Sequence, residues 1–128
     1  MRDLGILVVD DDTAFRTGME KYLLSQGCAN VRSAASGEVA LEMVKKESPG
    51  VILLDLYLPE MNGLQAIREI HKIDHNVPIF VLTCEADEEY RDLAVKLGAL
   101  DYLTKPITLA NLFSYVELRL KGVRRSLL

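Results

Sequence analysis

Tryptophan is absent, aromatic residues make up only 6% of the sequence, and 128 residues hold just two cysteines and two histidines. Cys28 and Cys84 stand far apart in no CxxC or metal-ligand spacing, which excludes a disulfide-dense secreted scaffold and a thiolate zinc centre. A reducing cytosol is the expected compartment. Positive charge is in deficit, with 15 Lys+Arg against 19 Asp+Glu and a formal charge of −4. Binding to a phosphate backbone needs a basic surface, so direct contact with nucleic acid is not expected of this domain. No apolar run approaches the length that spans a bilayer, and the short run after Met1 leads into three aspartates rather than a cleavage site. We therefore expect a cytoplasmic protein with no membrane partner and no signal peptide. Low-complexity stretches are also missing, which excludes fibrous and disordered classes.

What is present is 49% hydrophobic and 27% charged, the balance of a folded domain. A chain of this length forms one domain with a real core and is too short for a two-domain enzyme. Residues 1–122 are expected to form that domain, and 123–128 the end of a last helix or the start of a linker toward an output domain. Four apolar runs without alternation, Ile6–Val9, Val51–Leu54, Ile79–Leu82 and the weaker Ala99–Leu103, read as strands buried on both faces. A fifth, less apolar candidate is Asn30–Ala34. Between them lie stripes at helical spacing: Phe15, Met19, Tyr22 and Leu23 after a cap at Asp12 or Thr13 and closed by Gly27; Val39, Ala40, Met43 and Val44 after Ser36 and before Pro49; Leu64, Ile67 and Ile70; Tyr90, Leu93, Ala94 and Leu97 before Gly98; and Leu109, Leu112, Phe113, Val116 and Leu120 from about Thr108.

Five βα units imply right-handed crossovers and a parallel sheet covered by helices on both faces, a doubly wound α/β fold. The flavodoxin-like strand order 2-1-3-4-5 is expected, with its switch point between the first and third strands, where ligands bind beyond the carboxyl ends. At that point stand Asp10, Asp11 and Asp12 after the first strand and Asp55 after the third. Carboxylates crowded together raise one another's pKa unless a cation answers them. Hard oxygen donors without neighbouring His or Cys suit magnesium, or manganese in its place, and not zinc. Asp12 alone reads equally well as a helix cap.

Thr83 follows the fourth strand, and Lys105 with Pro106 follows the fifth. A metal, a carboxylate nucleophile, a hydroxyl donor and a fixed ammonium are the parts of phosphoryl transfer through an aspartyl phosphate. The motifs LVVDDD at 7–12, LLDLYLPEMNG at 53–63, VLT at 81–83 and GALDYLTKP at 98–106 resemble the receiver domain of two-component response regulators, the chemotaxis-regulator-like type, from Leu4 to about Leu120. The resemblance implies Asp55 as phosphoacceptor; Asp10, Asp11, Asp55 and the Tyr57 carbonyl as the Mg2+ site; Thr83 and Lys105 as holders of the phosphoryl oxygens; a cis Lys105–Pro106 peptide; and Tyr102 moving with Thr83 as the switch. It implies a sensor histidine kinase as donor. It further implies an output domain or partner met through the fourth helix, fifth strand and fifth helix, dimers on phosphorylation, and transcriptional control as the expected output.

Two positions depart from the family's usual pattern. Cys84 stands where Ala or Gly is common, and Tyr57, two after Asp55, is bulky; Glu85 stands two after Thr83. Tyr57 and Cys84 are expected to screen Asp55 from attacking water and lengthen the phosphorylated state. A redox role for Cys84 lacks a resolving partner in the sequence. The cations Arg119, Lys121, Arg124 and Arg125, interleaved with Leu118, Leu120, Val123 and Leu127, suit a helix C-terminus or a helix running on into a coiled coil or linker. His71 and His75 read as solvated, without a role. An aspartate-nucleophile phosphohydrolase would want a second acid where Tyr57 stands, and a flavodoxin-type cofactor binder would want a phosphate loop where the acids stand. An interaction module that has lost phosphorylation is at odds with the intact acid set.

Overall fold

The computed structural model describes residues 1–84 and 87–127, with side chains described through residue 122. Glu85 and the side chains of Val123, Arg124, Arg125 and Leu127, singled out above, lie outside the described residues. Five strands, β1 (Ile6–Val9), β2 (Val31–Ala34), β3 (Val51–Asp55), β4 (Ile79–Thr83) and β5 (Asp101–Thr104), alternate with five helices, α1 (Thr13–Ser25), α2 (Gly37–Lys46), α3 (Gly63–Ile73), α4 (Glu88–Leu97) and α5 (Leu109–Leu127). All strand pairs are parallel, in the order β2-β1-β3-β4-β5. This is the doubly wound, flavodoxin-like α/β fold that the spacing of the apolar runs calls for.

Successive side chains of a strand face opposite sides of the sheet, and here both sides are covered. Leu7, Val9, Ile52, Leu54, Ile79 and Val81 pack with α2, α3 and α4, whereas Ile6, Val8, Val51, Leu53, Phe80 and Leu82 pack with α1 and α5. That explains the absence of alternation in the three central strands, each of whose aliphatic side chains contributes about 1.5–3 kcal/mol when fully buried. The two runs that read as weak, β2 and β5, are the sheet edges and are only partly buried.

Several sequence expectations need correction. β5 begins at Asp101 rather than Ala99, because Gly98 (φ 127°) caps α4 and the Ala99 N–H still bonds back to the Ala94 carbonyl. Tyr90 and Leu93 do not lie on a buried stripe: among α4 residues only Ala94 is buried, and Tyr90, Leu93 and Val95 face outward. Val39, in the first turn of α2, is exposed as well. His71 is half-buried rather than solvated. Its ring lies where a side chain at position 98 would sit, 2.6 Å from an added Cβ, and its Nδ1 is buried without a hydrogen-bond partner. The His75 ring meets it edge-on at 4.6 Å.

Candidate functional site

The site grows from the ends of β1 and β3, which run side by side with Val9 opposite Leu54. One residue further on, Asp10 is 2% exposed. Its Oδ1 accepts the Asp12 N–H at 2.9 Å, and its carbonyl accepts Arg16 Nη1 at 2.7 Å. Asp12 serves as the N-cap of α1, accepting from the Ala14 and Phe15 N–H groups, which settles its two readings in favour of the cap. Asp11, between them, is left exposed at the rim.

Asp55 ends β3, and its Oδ1 accepts the Tyr57 N–H at 3.1 Å. The loop that follows is shut by a hydrogen bond from the Gly63 N–H to the Leu56 carbonyl at 2.7 Å. Only glycine permits that approach, since an added Cβ at 63 would come within 2.5 Å of the Leu56 Cα. Asn62 and Gln65 then form a reciprocal capping box at the start of α3. The acid is thereby fixed at both the strand end and the helix start.

Carboxylate oxygens of Asp10, Asp11 and Asp55 lie within 4.8 Å of one another. Lys105 reaches this cluster from the end of β5, with its Nζ 2.7 Å from Asp10 Oδ2 and 4.0 Å from Asp55 Oδ2. Its peptide bond to Pro106 is cis. Thr83, fully buried, closes β4 one residue beyond Leu82, the register partner of Asp55, and its carbonyl accepts the Lys105 N–H at 2.7 Å. Tyr102, also buried, sits in β5 opposite Val81. Cys84 is exposed just past Thr83. Tyr57 is 42% exposed, with its ring edge-on to Tyr90 of α4.

The electrostatics follow from this geometry. Burial pushes the Asp55 carboxyl above the ordinary carboxylate range; the charges of Asp10 and Asp11 push the same way, and the Tyr57 N–H and Lys105 offset part of the rise. Among the described residues, Lys105 is the one cation paired with these three carboxylates, so the acids outnumber it. Its donors are all hard oxygens held close together, the set that magnesium takes. The residues present fit that ion.

Two neighbours of the site escaped the sequence reading. Phe15 places its ring centroid 4.0 Å from Lys105 Nζ, a cation–π contact. Arg16 ties the Asp10 carbonyl to α1. Phe15 was visible only as a core position on a helical stripe; that its ring also meets a lysine ninety residues away has no local signal. Arg16, four residues after the capping Asp12, was the more legible of the two.

Comparison with known proteins agrees with this architecture. Residues 6–117 match the response regulator receiver domain. The transcriptional regulatory protein ZraR of Escherichia coli K12 is 36% identical over 115 residues, covering 90% of this chain and 26% of that protein. YdfI of Bacillus subtilis, also described as a transcriptional regulatory protein, is 33% identical over 118 residues, 91% of this chain and 55% of its own length. Among solved structures, a CheY-like receiver domain protein from Methanospirillum hungatei superposes with a TM-score of 0.88 at 27% identity, covering 94% of this chain and 96% of that one. The chain thus spans about a quarter to a half of the two curated relatives. With sheet order, clustered acids and the match over residues 6–117 in agreement, the chain belongs to the response regulator receiver domain family, the signalling switches of two-component systems.

Proposed function

We propose that Asp55 accepts a phosphoryl group from the phosphohistidine of a sensor kinase. A carboxylate oxygen attacks phosphorus, the P–N bond breaks, and the histidine nitrogen leaves with its electron pair. The residues that would hold Mg2+ are Asp10, Asp11, Asp55 and the Tyr57 carbonyl. Bound there, the ion supplies neutralisation of the charge spread over the phosphoryl oxygens. Lys105, now on Asp10 and 4.0 Å from Asp55, and the Thr83 hydroxyl hold the new oxygens. The convergence of Asp10, Asp55 and Lys105 from three separate strand ends is the observation that carries this reading.

The phosphoryl group adds close to two negative charges and three acceptors. Moving a two-state equilibrium from 1:99 to 99:1 takes about 5.5 kcal/mol. Charge-assisted hydrogen bonds contribute ~1.5–3 kcal/mol each, so new bonds to Lys105, Thr83 and a backbone amide suffice. Thr83 and Tyr102 then shift together, and the face of α4, β5 and α5 meets an output domain, a partner or a second copy, with transcriptional control as the output. Residues 1–122 act as the receiver, with 123–128 ending α5 or opening a linker. The setting is cytoplasmic, and beyond taking up and losing its own phosphoryl group the domain is not an enzyme. Tyr57 and Cys84 screen Asp55 from water and prolong the phosphorylated state; Tyr57→Asn is expected to shorten it, and an unchanged decay would remove the idea.

The test is incubation with a small phosphodonor and Mg2+, followed by intact-mass measurement. Wild type is expected to gain the mass of one phosphoryl group, and Asp55→Asn none. Steady turnover of a phosphate ester would instead favour an aspartate-nucleophile phosphohydrolase, which Tyr57, standing where a second acid is wanted, argues against.

A further inference from the structure

The tie between the phosphoacceptor loop and α4 lies outside the Thr83 and Tyr102 pair. Tyr57 and Tyr90 stand on different elements, 33 residues apart, and meet edge to face with centroids 6.3 Å apart at 85°. Both residues are partly exposed, at 42% and 40%, and belong to neither core cluster. Together with Leu56, Asn62 and Leu64 they line a groove of about 210 Å³ between the β3–α3 loop and the start of α4. On its other flank the first turn of α4 borders a second groove, of about 200 Å³, lined by Asp87, Glu88, Arg91, Tyr102 and Thr104. That turn has hollows on both sides, and the aromatic edge crosses one of them. At its other end, Tyr57 is fixed to the acid through its N–H on Asp55 Oδ1 at 3.1 Å.

We infer that Tyr90 is a positioning residue for the phosphoryl chemistry, acting through Tyr57. Its ring holds the Tyr57 side chain over the loop, which limits the approach of water to the phosphoryl group on Asp55. Loss of that group proceeds by attack of water on phosphorus, with the P–O bond to Asp55 breaking to leave the carboxylate, inorganic phosphate and a proton. Releasing Tyr57 opens that approach. A partner that docks against Tyr90 on α4 and displaces its ring would release Tyr57 in the same way and shorten the survival of the phosphoryl group. The inference rests on the phosphoacceptor reading above.

Two measurements test it, one of which needs no phosphoryl group. In the metal-free, unphosphorylated chain, amide hydrogen exchange at residues 88–91 is expected to rise severalfold in Tyr57→Ala, a change on another element, and to keep its wild-type rate in Tyr90→Phe. Unchanged exchange in Tyr57→Ala overturns the inference. In the phosphorylated chain, Tyr90→Ala is expected to speed phosphoryl loss by about two- to tenfold, the range that the coupling of one aromatic pair spans. Tyr90→Phe restores the wild-type rate, and Tyr57→Ala/Tyr90→Ala decays no faster than Tyr57→Ala alone. Effects that multiply in the double variant, or an unchanged rate in Tyr90→Ala, overturn it. A wild-type chain that never gains a phosphoryl group overturns the phosphoacceptor reading instead, and the exchange measurement still decides whether the two rings are coupled.

Discussion

α3 and α4 are neighbours on one face of the sheet and nearly equal in length, at 11 and 10 residues, yet they are attached to it in opposite ways. α3 drives Ala66, Ile67 and Ile70 into the core and begins with a closed capping box. α4 buries Ala94 alone and turns Tyr90, Leu93 and Val95 outward. The first is an anchor for the loop that carries Asp55. The second is held by few apolar contacts, and elements of that kind form the low-stability end of a fold, from which switching segments are drawn. Within a single face, the chain sets a deeply anchored helix beside a lightly anchored one.

The sharpest way to break this comparison is to truncate one large aliphatic residue in each helix, buried in α3 and exposed in α4. Ile67→Ala is expected to cost about 2–5 kcal/mol in urea unfolding, because it empties a closed site, whereas Leu93→Ala should stay within about 0.5 kcal/mol. Equal losses would show that α4 is packed as tightly as α3.

Next in size is the lock behind β5, which confines the looseness to α4. Asp101 accepts from the Tyr115 hydroxyl and from Arg119 Nε at 3.1 Å, both on α5. Burial alone would raise the Asp101 carboxyl, but hydrogen bonds from Tyr115, the Tyr102 N–H and Arg119 outweigh it and hold the group below its ordinary range. An acid depressed in the folded state contributes stability that is present above its unfolded value and lost as pH falls through the folded one. Asp101→Asn is therefore expected to cost about 1–3 kcal/mol at neutral pH, with the gap to wild type closing in acid. A gap independent of pH would show that the charge is not what locks α5 to β5.

A smaller effect separates the two caps. Asn62→Ala should cost about 1 kcal/mol by opening the capping box of α3, and Asp87→Ala, whose side chain accepts from the Glu89 N–H alone among the described residues, should cost less. Thermal unfolding of the two variants compares them directly. The smallest expected change concerns Asp55. Its folded pKa is raised, so the folded state holds that proton more tightly than the unfolded chain does, and the cost of the buried charge is felt above the folded pKa and vanishes below the unfolded one. Without metal, Asp55→Asn should be slightly more stable than wild type at neutral pH, with the difference fading on acidification toward about pH 4. A less stable variant would mean that Lys105 more than compensates that charge.

Much of the fold was legible because burial on both faces writes itself into β1, β3 and β4 as unbroken aliphatic runs, and because Asp12, Ser36 and Gly98 punctuate their helices as capping chemistry requires. The acids and Lys105 could be placed together once the strand order was read, since position after a strand fixes position at the sheet edge. What stayed hidden depends on contacts between distant elements. Apolar spacing in α4 says which residues share a face, not whether anything covers it, so Tyr90 and Leu93 were assigned to a core that does not reach them. The same limit hid the packing of His71 against Gly98 and the ring of Phe15 under Lys105.

The contact between Gly63 and Leu56 turns residues 56–63 into a fastened hoop. Inside such a hoop Leu58 belongs to the core and Met61 packs against it, so the freedom to vary lies with the exposed positions, Tyr57 and Pro59 among them. Varying Tyr57 and Pro59 while sparing the clasp would retune the chemistry at its doorstep and leave the framework standing. A single methyl at 63 would spring the clasp and carry Asp55 away with it.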